Sequence, residues 1–197
     1  GEVVTMSVDW EHIPAKHRSL IKAFFDEADM SADVIKTVDF PPVYGADIVV
    51  SCEKAKDPKN GSIYLKPTQF VLGIGCRRDT AFENIDRAIR QSLLKLQIDI
   101  SDIDMIASID VKKDEPGIKE FCERNRIEFV TYTADELMAV QGEFSASQFV
   151  REHVGVDNVC ERAAVLACSR ECNEAGKLVY KKHKYDRVTV AAARYPD

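Results

Sequence analysis

Two short segments of this chain concentrate the residue types that bind anions and move protons: Gly73-Ile-Gly75-Cys76-Arg77-Arg78-Asp79-Thr80 and Asp110-Val-Lys112-Lys113-Asp114-Glu115-Pro116-Gly117. In the first, Gly73 and Gly75 let the backbone come close to a ligand, and a helix starting just beyond presents free N–H groups with partial positive charge. Arg77 and Arg78 can clamp carboxylates through paired hydrogen bonds. Cys76, beside both arginines at a helix start, is a candidate nucleophile whose thiol pKa those charges would lower. In the second segment Lys112 and Lys113 stand beside Asp110 and Glu115, so a proton acceptor can sit next to anion-binding charge. Each segment also has a plainer reading. The first is then a tight strand-to-helix turn with solvated arginines. The second is a solvated charge cluster in which Asp114 caps the helix that Pro116 opens.

The remaining polar candidates carry less. Glu161 sits third in a helix start, Asn158-Val-Cys-Glu161, where capping its own helix is its simplest role. His12, His17, His153 and His183 show no metal-ligand spacing as a set. Cys168 and Cys172 share a helix face and could bridge a soft metal, but small core residues read the same way. Lys181-Lys182-His183-Lys184 reads as a solvated hairpin tip that could touch an acidic ligand.

The elements that position these residues are legible from pattern. Phe70–Ile74 is a buried strand, followed by a capping box Thr80-Ala-Phe-Glu83 and a helix to about Gln97 with Ile85, Ile89, Leu93 and Leu96 inward. Met105–Ile109 is the next strand, Pro116 opens a helix burying Ile118, Phe121 and Cys122, and Ile127–Tyr132 is a third strand. Thr133-Ala-Asp-Glu136 and Ser145-Ala-Ser-Gln148 are further capping boxes. A helix rich in Ala and Cys follows Asn158 and stops by Gly176, its small residues predicting close packing. Leu178–Lys181 and Val188–Ala192 are closing strands around a hairpin loop at His183–Asp186. The order β-α-β-α-β, then helices and a hairpin, predicts a three-layer α/β/α sandwich with a mixed, mainly parallel sheet.

Ahead of this, residues 1–66 form a smaller α/β segment. A helix over Pro14–Ala28 turns Leu20, Ile21, Phe24 and Phe25 inward. A loop follows at Asp39–Gly45, with strands at Asp47–Ser51 and Ile63–Leu65 and a turn at Asp57–Gly61. The boundary is placed at Lys66-Pro67, leaving 67–197 as the main domain. The segment is near the lower size limit for an independent domain and can be half of a larger one.

Composition narrows the function classes. A net charge of −6 supplies no global basic field for nucleic acid. No apolar run is long enough to cross a membrane, and the first ten residues show no export signal. The six cysteines form no C-x-x-C pair. Together these point to the reducing cytoplasm. The chain opens on Gly1 rather than Met, as a trimmed sequence would.

Four stretches in order resemble the C-terminal domain of the CbiG family of cobalamin (vitamin B12) biosynthesis: VLGIGCRRDT at 71–80, IASIDVKKDEPGI at 106–118, SASQFVREHVGVDNVCERAAVLA at 145–167 and VTVAAAR at 188–194. The family often has glycine where Asp79 stands, and residues 1–66 resemble its linking middle region. The resemblance implies a hydrolase of the anaerobic pathway acting on cobalt-precorrin-5A, a cobalt tetrapyrrole whose δ-lactone is opened with release of acetaldehyde to give cobalt-precorrin-5B. It implies no resident cofactor, because cobalt arrives in the substrate. Arg77, Arg78, Lys112 and Lys113 would meet the substrate's carboxylate arms, with Gly73, Gly75, Cys76 and Glu161 completing the binding set. Glu115 or Asp110 would act as the base, and N–H groups around Gly75 and Cys76 would hold the oxyanion. Partners are then the cobalt–tetrapyrrole substrate, with other enzymes of the pathway and a second copy of the chain as further candidates. Two alternatives stay open: a non-catalytic tetrapyrrole-binding part of that hydrolase, and a nucleotide- or phosphate-binding domain, which lacks the G-x-G-x-x-G spacing and the P-loop lysine.

Overall fold

The computed structural model of the chain describes residues 4–27, 35–38, 40, 46–52, 62–145, 156, 158–172 and 175–196. The chain separates into two compact units, Gly1–Thr68 and Gln69–Pro196. Most of the loop at 39–45, the turn at 57–61, most of the box at 145–148 and His153 lie outside the described residues. No described helix is long and apolar enough to cross a membrane.

In the first unit β1 (Val4–Val8), β2 (Ile35–Val38), β3 (Ile48–Val50) and β4 (Ile63–Leu65) form a parallel sheet of order β2-β1-β3-β4, with α1 over Ala15–Glu27. β1 and β2 went unread in the sequence. Such short strands carry no long period and are held by pairing with distant neighbours. Pro14 precedes α1, and its carbonyl accepts from the N–H groups of His17 and Arg18. Ile21 packs toward Met6, Val8, Ile13 and Val50. Leu20, expected inward, is 59% exposed, because the helix turns its Ile21 flank to the core instead.

The second unit is the α/β sandwich. β5 (Phe70–Cys76), β6 (Ile103–Ile109) and β7 (Glu128–Tyr132) are parallel. The hairpin β8 (Lys177–Lys184) and β9 (Val188–Arg194) joins on the other side of β5, giving the order β7-β6-β5-β9-β8. Only β9 runs against the rest. On one face α2 (Phe82–Leu96) and α3 (Pro116–Asn125) cover Leu72, Ile74, Ile106, Val190 and Ala192. On the other, α4 (Ala134–Ala139) and α5 (Val159–Cys172) cover Val71, Met105, Ala107 and Ala193. Neighbouring residues of one strand thus feed opposite layers, as the two-residue period of a strand requires.

Two glycines set how closely the layers approach. A Cβ on Gly73 would lie 1.7 Å from the carbonyl oxygen of Cys160, so α5 rests directly on the backbone of β5. A Cβ on Gly117 would lie 2.3 Å from the carbonyl oxygen of Thr80, which brings the start of α3 against the loop leaving β5. Cys168, with Ala163, Ala164 and Ala167, is fully buried on the inner side of α5, in keeping with a core role.

The helix starts differ from their sequence readings in instructive ways. Thr133 and Glu136 form the expected capping box. Thr80 and Glu83 do not: α2 begins after Ala81, while the Thr80 hydroxyl donates to the Arg77 carbonyl at 2.7 Å. Asp114 does not cap α3. It faces Lys119 at 3.7 Å in solvent, and Glu115 occupies the capping position without a side-chain cap bond. Asn158 does cap α5, its Oδ1 accepting from the N–H of Glu161 at 3.0 Å.

Candidate functional site

The carboxyl ends of β5 and β6 open into a cavity of about 420 Å³, within the usual range for small-molecule sites. Its position follows the general rule for open α/β sheets, where ligands bind beyond the strand ends. The end of β5 supplies Gly75, Cys76 and Arg77, and the segment after β6 supplies Ile109, Val111 and Lys112. The amino end of α5 supplies Asn158, Val159 and Cys160. The closing hairpin supplies Lys182, Lys184, Tyr185, Arg187, Val188 and Thr189. Among the described residues that line it there are five cationic side chains, Arg77, Lys112, Lys182, Lys184 and Arg187, and neither a carboxylate nor a histidine. A chain of net charge −6 therefore gathers a local field that attracts anions. The amino end of a fourteen-residue helix adds to it.

The walls are fastened to one another by hydrogen bonds. The Arg77 N–H donates to the Arg187 carbonyl at 2.9 Å, and Arg187 Nη2 donates to the Arg78 carbonyl at 2.9 Å. Glu115 ties the two sequence segments together. Its Oε1 accepts from the Thr80 N–H at 3.0 Å, and its Oε2 accepts from Lys112 Nζ at 2.8 Å. Tyr185 is held by its hydroxyl, which meets Ser92 Oγ at 2.9 Å and Tyr180 OH at 3.1 Å. Burial, then the Tyr185 hydroxyl, pushes the Tyr180 phenol well above its usual range. Asp79 takes the left-handed backbone at φ 55°, a conformation glycine adopts without strain, which suits a position where the resembled family often has glycine.

Of the residues singled out in the sequence, Gly75, Cys76, Arg77 and Lys112 line the cavity together. Gly73 lies under α5 and serves packing. Arg78 and Lys113 are exposed and outside the lining. Asp110 is half-buried and Glu115 is 6% exposed, and neither is a lining residue. Glu161 is fully buried and does not close back on its own helix cap as the simple reading had it. Its oxygens accept from the Ser145 N–H and hydroxyl, both at 2.8 Å, and from the Lys182 N–H at 2.6 Å. Burial alone would raise its pKa, but these bonds hold the carboxyl below the ordinary carboxylate range.

Sequence reading passed over Asn158, Cys160, Tyr185, Arg187 and Thr189, and placed the lysine run at a loop. β8 in fact continues through Lys184, and Lys182 and Lys184, two apart, reach the same cavity. The alternation of Lys182 and Lys184 along a strand was the available signal.

Cys76 corrects another expectation. Its thiol is pushed up to about 11, first by burial, and the nearby Glu115 adds to the rise while Lys112 opposes it. The arginines do not lower it. Alkylation of Cys76 by iodoacetamide is therefore expected to be slow at neutral pH and to climb as pH approaches about 11. A rate already at its plateau by pH 8 would contradict this environment.

The domain is thus a mixed α/β sandwich whose strand ends carry a cationic cavity with no carboxylate or histidine among its described lining residues, an arrangement chemically suited to anions. Residues 70–193 match the family described as "Cobalamin synthesis G C-terminus", and the chain belongs to that family. It is 38% identical over 102 residues to the cobalt-precorrin-5A hydrolase of Salmonella typhimurium, covering 52% of this chain and 29% of that protein. It is 31% identical over 137 residues to the probable cobalt-precorrin-5A hydrolase of Methanocaldococcus jannaschii, covering 67% of this chain and 42% of that protein. The crystal structure of CobE, a protein from the cobalamin biosynthetic pathway, superposes with a TM-score of 0.61 at 26% identity, covering 64% of this chain and 90% of that one. The chain thus spans less than half the length of each of these two hydrolases.

Proposed function

We propose that this chain is the C-terminal part of a cobalt-precorrin-5A hydrolase and that its cavity holds the carboxylate-bearing edge of the cobalt tetrapyrrole. The observation that carries this is the cavity's lining of five cations without a carboxylate or histidine among its described residues. Acetate and propionate arms are the natural partners of such a lining, and guanidinium and ammonium groups recognise them by charge-assisted hydrogen bonds. The apolar wall of Ile109, Val111, Val159 and Val188 suits the flat body of a macrocycle. The reaction of the whole protein is opening of the substrate δ-lactone with release of acetaldehyde, in the cytoplasm. Cobalt enters as part of the substrate, and no resident cofactor is required.

Within that reaction this domain is chiefly the substrate holder. Lactone hydrolysis needs a base for water and donors for the oxyanion. The first-turn N–H groups of α5, at Val159 and Cys160, have no earlier helix carbonyl to bond and border the cavity, which makes them suited as donors. They serve better than Gly75, which sits in a hydrogen-bonded pair with Thr189 of β9. Both oxygens of Glu115 are engaged, so its role is to orient Lys112. Water activation falls to Asp110 or to a group beyond this chain. Glu115→Gln is accordingly expected to lower stability by about 2 kcal/mol in urea denaturation, through the weakened buried pair with Lys112. In the whole hydrolase it should leave the pH profile of turnover in place. Loss of the acidic limb of that profile, with the fold intact, would return Glu115 to the role of base.

The direct test is titration with cobalt uroporphyrin, a stable cobalt tetrapyrrole polycarboxylate, followed by visible absorption, with ATP as competitor. Saturable binding that weakens with salt and resists ATP is expected. Displacement by ATP, or no binding at all, defeats the reading. The nucleotide alternative is already weakened by geometry, because Gly73 is packed against α5 rather than open to a phosphate.

A further inference from the structure

We propose that Glu161 is a positioning residue of the cavity, locking a bulge in β8 that delivers Lys182 and Lys184 to the ligand. The β8–β9 ladder pairs Leu178 with Ala193, Tyr180 with Ala192 and His183 with Val190. β8 therefore advances three residues from Tyr180 to His183 while β9 advances two, so one extra residue is accommodated beside Lys182. Such a bulge re-aims the side chains that follow it, and each added residue reverses which face a given side chain meets. At this bulge the Lys182 N–H donates to Glu161 Oε1 at 2.6 Å.

Glu161 is itself fixed from three directions. The Asn158 side chain holds its N–H at 3.0 Å, Ser145 holds both carboxylate oxygens through its N–H and hydroxyl, and Asn158 Nδ2 holds the Ser145 carbonyl at 2.8 Å. A fully buried carboxylate with three donors aimed at it is a rigid fixture. Glu161 is not among the lining residues, so it acts on the ligand through the residues it holds, chiefly Lys182 and, beyond the bulge, Lys184. Glutamine cannot replace it. One of its two terminal atoms would be an NH2 facing the N–H of Ser145 or of Lys182, donor against donor.

This inference rests on the reading of the cavity as a polycarboxylate site, and the test separates the two. In the ligand-free full chain, NMR is expected to show the Lys182 amide shifted downfield and protected from exchange. Glu161→Gln, which breaks either the Lys182 bond or the Ser145 anchor behind it, should shift the Lys182 amide and lower its protection while Val190 in β9 keeps its own. With cobalt uroporphyrin, Glu161→Gln should weaken binding roughly ten-fold. Added to Lys182→Ala/Lys184→Ala, it should weaken binding by less than about two-fold further, since its route to the ligand is gone. An unchanged Lys182 amide, or the full loss persisting in the lysine-free background, overturns the proposal. Failure of the wild type to bind cobalt uroporphyrin, with the amide result intact, removes the ligand reading and supports the lock. Should Glu161→Gln not fold, Ser145→Ala, which deletes the hydroxyl donor to Glu161, should shift the Lys182 amide and weaken binding about three-fold. No shift in that variant overturns the proposal equally.

Discussion

Exchanging Arg77 and Lys182 together for alanine is expected to weaken binding of cobalt uroporphyrin by about 100-fold. Hydrogen bonds to charged groups contribute about 1.5–3 kcal/mol each, and two lost contacts of about 1.5 kcal/mol give that factor. The two residues come from opposite walls, the end of β5 and the bulged part of β8, and both line the cavity. Neither substitution disturbs the local fastening, which runs through backbone groups: the Arg77 N–H to Arg187, and the Lys182 N–H to Glu161. Unfolding midpoints should therefore stay close to the wild type while affinity falls. The salt dependence should also flatten, because fewer charges remain to be screened. Arg78→Ala and Lys113→Ala, exposed and outside the lining, are the controls and should change affinity less than about two-fold. If the controls weakened binding as much as the lining pair, attraction would be diffuse and the cavity would not be the site.

The largest effect on stability is expected for Gly73→Ala, a loss of about 3–5 kcal/mol measured by urea denaturation. The new methyl group would meet the Cys160 carbonyl oxygen at 1.7 Å, its carbon at 2.6 Å and the Ala164 nitrogen at 3.0 Å. All three are backbone atoms of one helix, so no rotamer change relieves the overlap and α5 must lift as a unit from β5. That helix also buries Ala163, Ala164, Ala167 and Cys168, so the lift would open the densest layer of the core. Its amino end walls the cavity, so ligand affinity should fall with stability. Gly75→Ala is the contrast, expected to cost about 1 kcal/mol. There the methyl meets only Thr189 Oγ1, at 2.6 Å, and that side chain can rotate at the loss of its 3.2 Å bond to the Gly75 carbonyl. Equal stability losses for the two variants would show that α5 does not rest on β5 as described.

That contrast marks the division between sequence and tertiary structure. Read locally, Gly73 and Gly75 are alike, two glycines at the end of an apolar strand. Only the helix laid across β5 makes one a packing contact and the other part of the cavity wall. The same holds for the carboxylates. Glu115 and Glu161 each sit near a helix start, where capping is the local expectation. Instead each bonds an N–H distant in sequence, Thr80 for one and Lys182 for the other.

The periodic segments were legible in advance because they report their own environment. The helices opening at Phe82 and Pro116, the strands through Val71 and Ile106, and the three-layer mixed sheet follow from apolar spacing of two or 3.6 residues. The association of Arg77 with Lys112 was legible too, since both leave carboxyl ends of neighbouring parallel strands. What pattern did not carry was the order of the sheet. The last strand, β9, pairs beside the first strand of the domain, β5, and brings Lys182, Lys184 and Arg187 to the rim that already holds Arg77 and Lys112. A pairing between distant strands leaves no local period, and a bulge shifts the period that exists. Residue types thus determined that this chain could bind anions; the closing hairpin decided where.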